Sequence, residues 1–144
     1  MSEPESTQSQ HIAAALLGAQ RVVVLTGLLL GRPDDEDLTS ARSAWAQQAS
    51  LEMLLTDPAA FWRFCHPAAQ AIAQRPIASA HRALVRLQQA GIIAHLITQS
   101  VDHRQTIAGA HDVIEVHGNI LTARCTRCGE RYGLAEVSQL LAGA

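Results

Sequence analysis

Residues 111–129, HDVIEVHGNILTARCTRCG, constrain the fold of this chain more than any other stretch. Residues 112–116 form an apolar-rich run with the character of a short buried strand. His117-Gly118-Asn119 breaks that run, and Gly118 opens backbone angles closed to other residues. After the short segment 120–124 comes Cys125-Thr126-Arg127-Cys128-Gly129, whose two-residue spacing lets both sulfurs face one ion. On the residues alone, His117 stands between an ordinary polar strand end and a catalytic histidine. Cys125 and Cys128 stand between idle thiols and half of a metal knuckle.

Upstream, two further runs read as buried parallel strands. RVVVLT places one at 22–26, and IIAHLIT places the other at 92–98. Gly27 follows the first at once, where an α/β fold sets its first phosphate-cradling turn. That turn reads Gly27-Leu28-Leu29-Leu30-Gly31, and three leucines suit an ordinary strand exit better than a loop baring its N–H groups. Asp34, Asp35, Glu36 and Asp37 read as a solvated turn favouring the next helix, over 38–48, rather than as a metal cluster. Asp57-Pro58 is a helix start, with Asp as N-cap and Pro in the first turn, and Pro67 is expected to kink or break that helix. Cys65, among Phe61, Trp62 and Phe64, reads as core. Residues 79–90 are amphipathic, with Leu84, Val85 and Leu87 opposite Arg82, Arg86 and Gln89, and Gly91 is placed to end the helix. Gln99, Ser100, Val101 and Asp102 then gather at the carboxyl end of the second strand, where open α/β sheets put their ligands. Residues 131–133 suggest a short strand and 134–141 a last helix.

The order strand, helices, strand, connector, strand predicts an α/β protein. It is the first half of a Rossmann-like parallel sheet with a helical insert, plus a partial zinc-knuckle module. Residues 1–10 read as a disordered tail, 11–121 as the half-Rossmann domain, and 122–144 as the partial zinc segment with a C-terminal helix. Aromatics at 3% and a net charge of -2 argue against a nucleic-acid partner. Apolar runs far short of a bilayer's thickness argue against a membrane span. Three cysteines and no signal peptide point to a reducing cytoplasm.

RVVVLTG, PIASAHRALVRLQQAG, LITQSVD, AGAHDVIEVHGNI and ARCTRCG, in that order, resemble the sirtuins, NAD-dependent protein lysine deacylases with a Rossmann-type domain and a structural zinc module. The resemblance spans residues 10–132. It implies that His117 is the catalytic base, taking a proton from a ribose hydroxyl while the acyl-lysine carbonyl oxygen attacks the ribose. It implies that Thr26 and Gly27 begin the NAD-binding turn, that Gln99, Ser100 and Asp102 line the nicotinamide and ribose pocket, and that Cys125 and Cys128 are the first pair of four zinc ligands. The departures are specific. Leu28, Leu29 and Leu30 stand in the family's Gly-Ala-Gly-x-Ser turn, Ser100 replaces an Asn, and His103-Arg104-Gln105 replaces Gly-Leu-His. Neither a second cysteine pair nor the second half of the sheet follows. The expected function is thus an incomplete NAD-dependent deacylase domain acting on acyl-lysine proteins, with NAD binding weakened or lost and zinc held as a half site. The alternatives are an inactive binding module and a truncated gene product. A complementing fragment, or a homodimer bridged by zinc through two cysteine pairs, would complete the shell.

Overall fold

The computed structural model describes residues 3–27, 30, 45 and 47–143. Strand β1 (Val22–Thr26), β2 (Ile93–Thr98) and β3 (Val113–Glu115) form one parallel sheet in the order β1-β2-β3. The register sets Thr26 beside Thr98 and Thr98 beside Glu115, so all three strands end on one line. The three runs lie where the sequence puts them. β2 and β3 are trimmed by one residue at Ile92 and by one at each end around Val113–Glu115.

The β-branched side chains alternate across the pleat. On one face Leu96, only 1% exposed, packs with Val85, Ile93 and Ala110, and Val22, Val24, Leu84, Leu87 and Val113 gather around them. Burying one such aliphatic side chain stabilises the fold by about 1.5–3 kcal/mol. Val85, Leu84 and Leu87 come from the amphipathic helix expected here, Ser79–Gln89, which ends with Gly91 at φ +74. Its Gln88 is buried and bonds both ways to the backbone of His111, accepting from the N–H at 3.1 Å and donating to the carbonyl at 2.7 Å. A polar side chain in the core is thereby satisfied, and the entry to β3 is held to that helix.

The chain divides into two compact units. The first holds the parallel sheet, helix α1 (Glu3–Gly18), the Ser79–Gln89 helix and the one-turn helix Arg104–Ile107. The second gathers the described residues of 32–76, Val101–His103 and Gly118–Ala144. The described helical insert and the C-terminal segment thus fall in the same unit. With α1 first, the helices in chain order are α2 (Leu51–Thr56), α3 (Pro58–Ala73), α4 (Ser79–Gln89), α5 (Arg104–Ile107) and α6 (Leu134–Ala142).

In the second unit, Ser50 caps α2 by accepting from Met53 N–H, and Asp57 caps α3 by accepting from Ala60 N–H at 2.9 Å. Pro67 neither breaks nor ends α3, which runs on to Ala73. The ring lies on the exposed side, where water can take the carbonyl it leaves unpaired, while Cys65, Ala69 and Ile72 hold the buried side. β4 (Thr122–Arg124) and β5 (Arg131–Gly133) form an antiparallel ribbon leading into α6. His66 Nε2 lies 2.7 Å from Ser138 Oγ, which itself donates to Leu134 O, and this pair joins α3 to α6.

Two expectations change or fall outside. The helical backbone of α1 starts at Glu3, inside the segment read as a tail, although its side chains from Thr7 to Ala15 are all exposed. Leu28, Leu29, the acidic turn and most of the helix expected over 38–48 lie outside the described residues; Trp45, Gln47 and Gln48 are helical. No helix among the described residues is long and apolar enough to cross a membrane.

Candidate functional site at the strand ends

Parallel strands that finish on one line leave their last polar groups together. Thr26 and Thr98, both buried, are neighbours at the ends of β1 and β2. Gln105, 2% exposed, rises from α5 between them and donates through Nε2 to Thr26 Oγ1 at 3.0 Å and to Thr98 Oγ1 at 3.2 Å. Thr98 Oγ1 also accepts the backbone N–H of Ser100 at 3.0 Å, which sets the first bend of the loop after β2. Gln99 N–H donates to Thr26 O, so the β1–β2 ladder runs one bond past the strands, and the Gln99 side chain stays exposed.

Among the described residues, Ser100 Oγ and Gln105 Oε1 are buried without a hydrogen-bond partner. Native interiors pair such atoms almost without exception, so a polar ligand at the strand ends fits this cluster. A Cβ built on Gly27, at the start of the β1 turn, would meet no described residue within 4 Å, and Gly27 has no positive φ.

The structure brings Thr26, Gly27, Gln99 and Ser100 together at the ends of β1 and β2, and it adds Gln105, which the sequence reading passed over as one of three replaced residues. No sequence signal marked it: it is the second residue of α5, and its two partners lie on strands far away in the chain. His117 follows β3 at the same end, held by the Val116 N–H donating to Thr98 O at 3.0 Å. Its imidazole is exposed and makes no hydrogen bond among the described residues. Asp102 is buried and belongs to the second unit, with Val101 and His103. His103 takes φ +60, a left-handed conformation that side chains disfavour, at the position where the resemblance expects glycine.

The cysteine knuckle is built locally. Cys125 N–H donates to Glu130 O at 2.8 Å and Gly129 N–H to Cys125 O at 3.0 Å, closing a tight turn between β4 and β5 with Gly129 at φ +79. Arg124 Nε donates to Gly129 O at 3.1 Å across the turn. The backbone N–H of Cys128, then that of Arg127, then the Cys128 thiol point at the Cys125 sulfur and lower its pKa from the ordinary thiol value. Burial instead pushes the Cys65 thiol up. N–H groups aimed at a sulfur are what a thiolate ligand needs, yet only two sulfurs meet here. Among the described residues, no group of three or more His, Cys, Asp or Glu side chains converges anywhere. A tetrahedral structural zinc requires four ligands, so the knuckle alone does not fit one.

Comparison with known proteins supplies the family. The Sir2 family model matches residues 33–142. The chain is 30% identical over 135 residues to an NAD-dependent protein deacetylase of Sulfolobus acidocaldarius, covering 90% of this chain and 54% of that protein. It is 34% identical over 128 residues to an NAD-dependent protein deacylase of Thermus thermophilus, covering 82% of this chain and 50% of that one. Among solved structures, it is similar to a sirtuin studied for substrate affinity, with TM-score 0.79, 27% identity and coverage of 100% of this chain and 59% of that one. A Sir2 solved with a p53 peptide and NAD+ gives TM-score 0.78 at 27% identity, over 94% of this chain and 56% of the other. The chain spans about half the length of the curated relatives it matches. A parallel sheet ending in a shared polar cluster, a histidine just past β3 and a match over residues 33–142 lead to one conclusion: the chain belongs to the Sir2 family.

Proposed function

We propose that this chain is the portion of an NAD-dependent protein lysine deacylase that carries the general base and the nicotinamide side of the pocket. The observation that carries this reading is the buried Thr26–Gln105–Thr98 cluster with two unsatisfied polar atoms at the strand ends. NAD, when bound, supplies an electrophilic ribose carbon with nicotinamide as leaving group. The chain's own residues bind and orient. Thr26 and Gly27 line the entrance, Ser100 Oγ and Gln105 Oε1 offer hydrogen bonds, and Gln99 completes the pocket by its match to the family motif. His117 accepts a proton at its imidazole, and an acyl-lysine side chain of a protein is the substrate class.

Dinucleotides lie across both halves of a doubly wound sheet, and the three described parallel strands make up one half. NAD is therefore expected to bind this chain more weakly than it binds the longer relatives. Calorimetry with NAD, paired with nicotinamide release in the presence of an acyl-lysine peptide, tests the reading. Turnover abolished by His117→Ala supports it. Turnover unchanged by that substitution removes the base. NAD binding with no turnover at all would leave an inactive binding module.

For the knuckle, the proposal is that two copies of the chain contribute Cys125 and Cys128 each, giving four thiolates across a two-fold axis. Half a zinc per chain and a dimer that chelation or Cys128→Ser dissolves are expected. A metal-free monomer with zinc supplied under reducing conditions would end that idea. All three thiols are unpaired, which suits a cytoplasmic setting.

A further inference from the structure

The β4–β5 ribbon carries an unbalanced set of cations, all within residues 122–133. The antiparallel register sets Arg124 directly opposite Arg131, and Ala123 opposite Tyr132. Side chains alternate along a strand, so the two arginines share one face, and the half-buried Ala123 and Tyr132 take the other. Arg127 lies on the turn between the strands, and all three arginines are exposed. Arg124 folds back over that turn, its Nε donating to Gly129 O, and with Arg127 it borders an open hollow of about 590 Å³. Among the described residues, no carboxylate pairs with any of the three guanidiniums. Glu130, the one acid in residues 122–133, accepts instead from Tyr132 Oη at 3.1 Å. Like charges directly opposite each other weaken an antiparallel pair, so this ribbon is stronger with an anion between its arginines than without one.

We propose that the arginine face of this ribbon docks an acidic polypeptide segment, whose Asp and Glu carboxylates take the guanidiniums of Arg124, Arg127 and Arg131. The chemistry and the spacing select this partner. A guanidinium presents its donors as a fork that fits the two oxygens of a carboxylate. Directly opposed residues of the ribbon set their Cβ atoms about 4.5–5.5 Å apart. An extended peptide repeats its side chains on one face every ~6.5–7 Å, so carboxylates at alternate positions fall within reach of neighbouring arginines. A nucleic acid fits less well. The one aromatic of the ribbon, Tyr132, lies on the opposite face, leaving bases nothing to stack on, and the chain's net charge of -2 repels a long polyanion.

The test depends on neither NAD nor turnover. The full chain is titrated, at low salt, with a fluorescein-labelled peptide of alternating Glu and Gly, with the same peptide carrying Gln for Glu, and with a short oligothymidylate, and binding is read by fluorescence anisotropy. The Glu peptide should bind about tenfold more tightly than the Gln peptide, and its affinity should fall as salt rises. Arg127→Ala and Arg131→Ala should each weaken it by about two- to fivefold, as the loss of an exposed ion pair does. Arg86→Ala, on the exposed side of α4, removes the same charge elsewhere and should change nothing. Arg131→Glu should act with opposite signs on two readouts. It sets a carboxylate opposite Arg124, so the amides of Thr122–Arg124 should exchange more slowly in the free chain while peptide binding is lost. A misfolded ribbon would instead exchange faster, and the alanine variants then carry the test. Absence of binding at every soluble concentration overturns the proposal. So does equal binding of the Gln peptide, a loss on Arg86→Ala as large as on Arg131→Ala, or oligothymidylate displacing the Glu peptide from the same arginines.

Discussion

The strand-end cluster and the cysteine knuckle both follow short strands and both look ready for a ligand, yet they are built by different means. Thr26, Thr98, Ser100 and Gln105 come from two strands, a loop and a helix, and reach each other only because the parallel register aligns the strand ends. Cys125 and Cys128 lie on one turn, closed by bonds between Cys125, Gly129 and Glu130. The cluster is buried and interlocked, so damage to it should reach the whole fold. The knuckle is a local exposed turn, so damage there should stay local. A site assembled by tertiary contacts is coupled to global stability, whereas a site assembled by neighbours in sequence is not.

Gln105→Ala gives the sharpest test of this contrast. It removes both bonds to buried threonine hydroxyls, and chemical denaturation should show a loss of about 1–3 kcal/mol. A loss near zero would break the comparison, because the cluster would then be no better coupled than the knuckle. Gly129→Ala comes next. Its φ of +79 and the 3.1 Å approach of a built Cβ to Arg124 Nη2 should cost about 1 kcal/mol. The loss should be confined to faster amide exchange around β4 and β5, and a drop in exchange protection across β1–β3 would show the knuckle to be coupled after all.

His103→Gly should act with the opposite sign. Relief of the left-handed strain at φ +60, offset by glycine's greater freedom in the unfolded chain, should raise stability by up to about 1 kcal/mol in the same denaturation experiment. Destabilisation would mean that the imidazole makes contacts worth more than the strain. The smallest effect is a ranking of thiol reactivity. Near neutral pH, Cys125, with its pKa lowered by the N–H groups of Cys128 and Arg127, should be alkylated faster than buried Cys65, whose pKa is raised. Mass spectrometry of the alkylated protein reads the order, and Cys65 reacting first would reverse it.

Much of this was legible in the sequence. VVVLT, IIAHLIT and VIE declare strands because β-branched residues crowd a helix and fill a pleat, and Asp57-Pro58 and Gly91 mark helix ends by chemistry that acts within a turn. The CxxC knuckle was legible for the same reason, since four consecutive residues contain its geometry. Pro67 left open whether α3 breaks there, because whether a proline breaks a helix depends on which face it occupies, and the buried Cys65, Ala69 and Ile72 opposite it carry α3 through. Gln105 was invisible as a site residue. A glutamine in a polar run carries no local mark of its role, and only the register between Thr26 and Thr98 gives it two partners.

The sequence by itself thus determined the parallel half-sheet, the position of His117 after β3 and the paired thiols, all consequences of side-chain shape and spacing over a few residues. Only the tertiary structure decided that Gln105 locks the strand ends, that the insert clusters with the knuckle segment, and that one face of the sheet stays bare at Leu25 and Ile114. Strand periodicity shows that a side chain points to one face or the other. Whether anything covers that face depends on contacts between residues far apart in the chain, which periodicity does not encode.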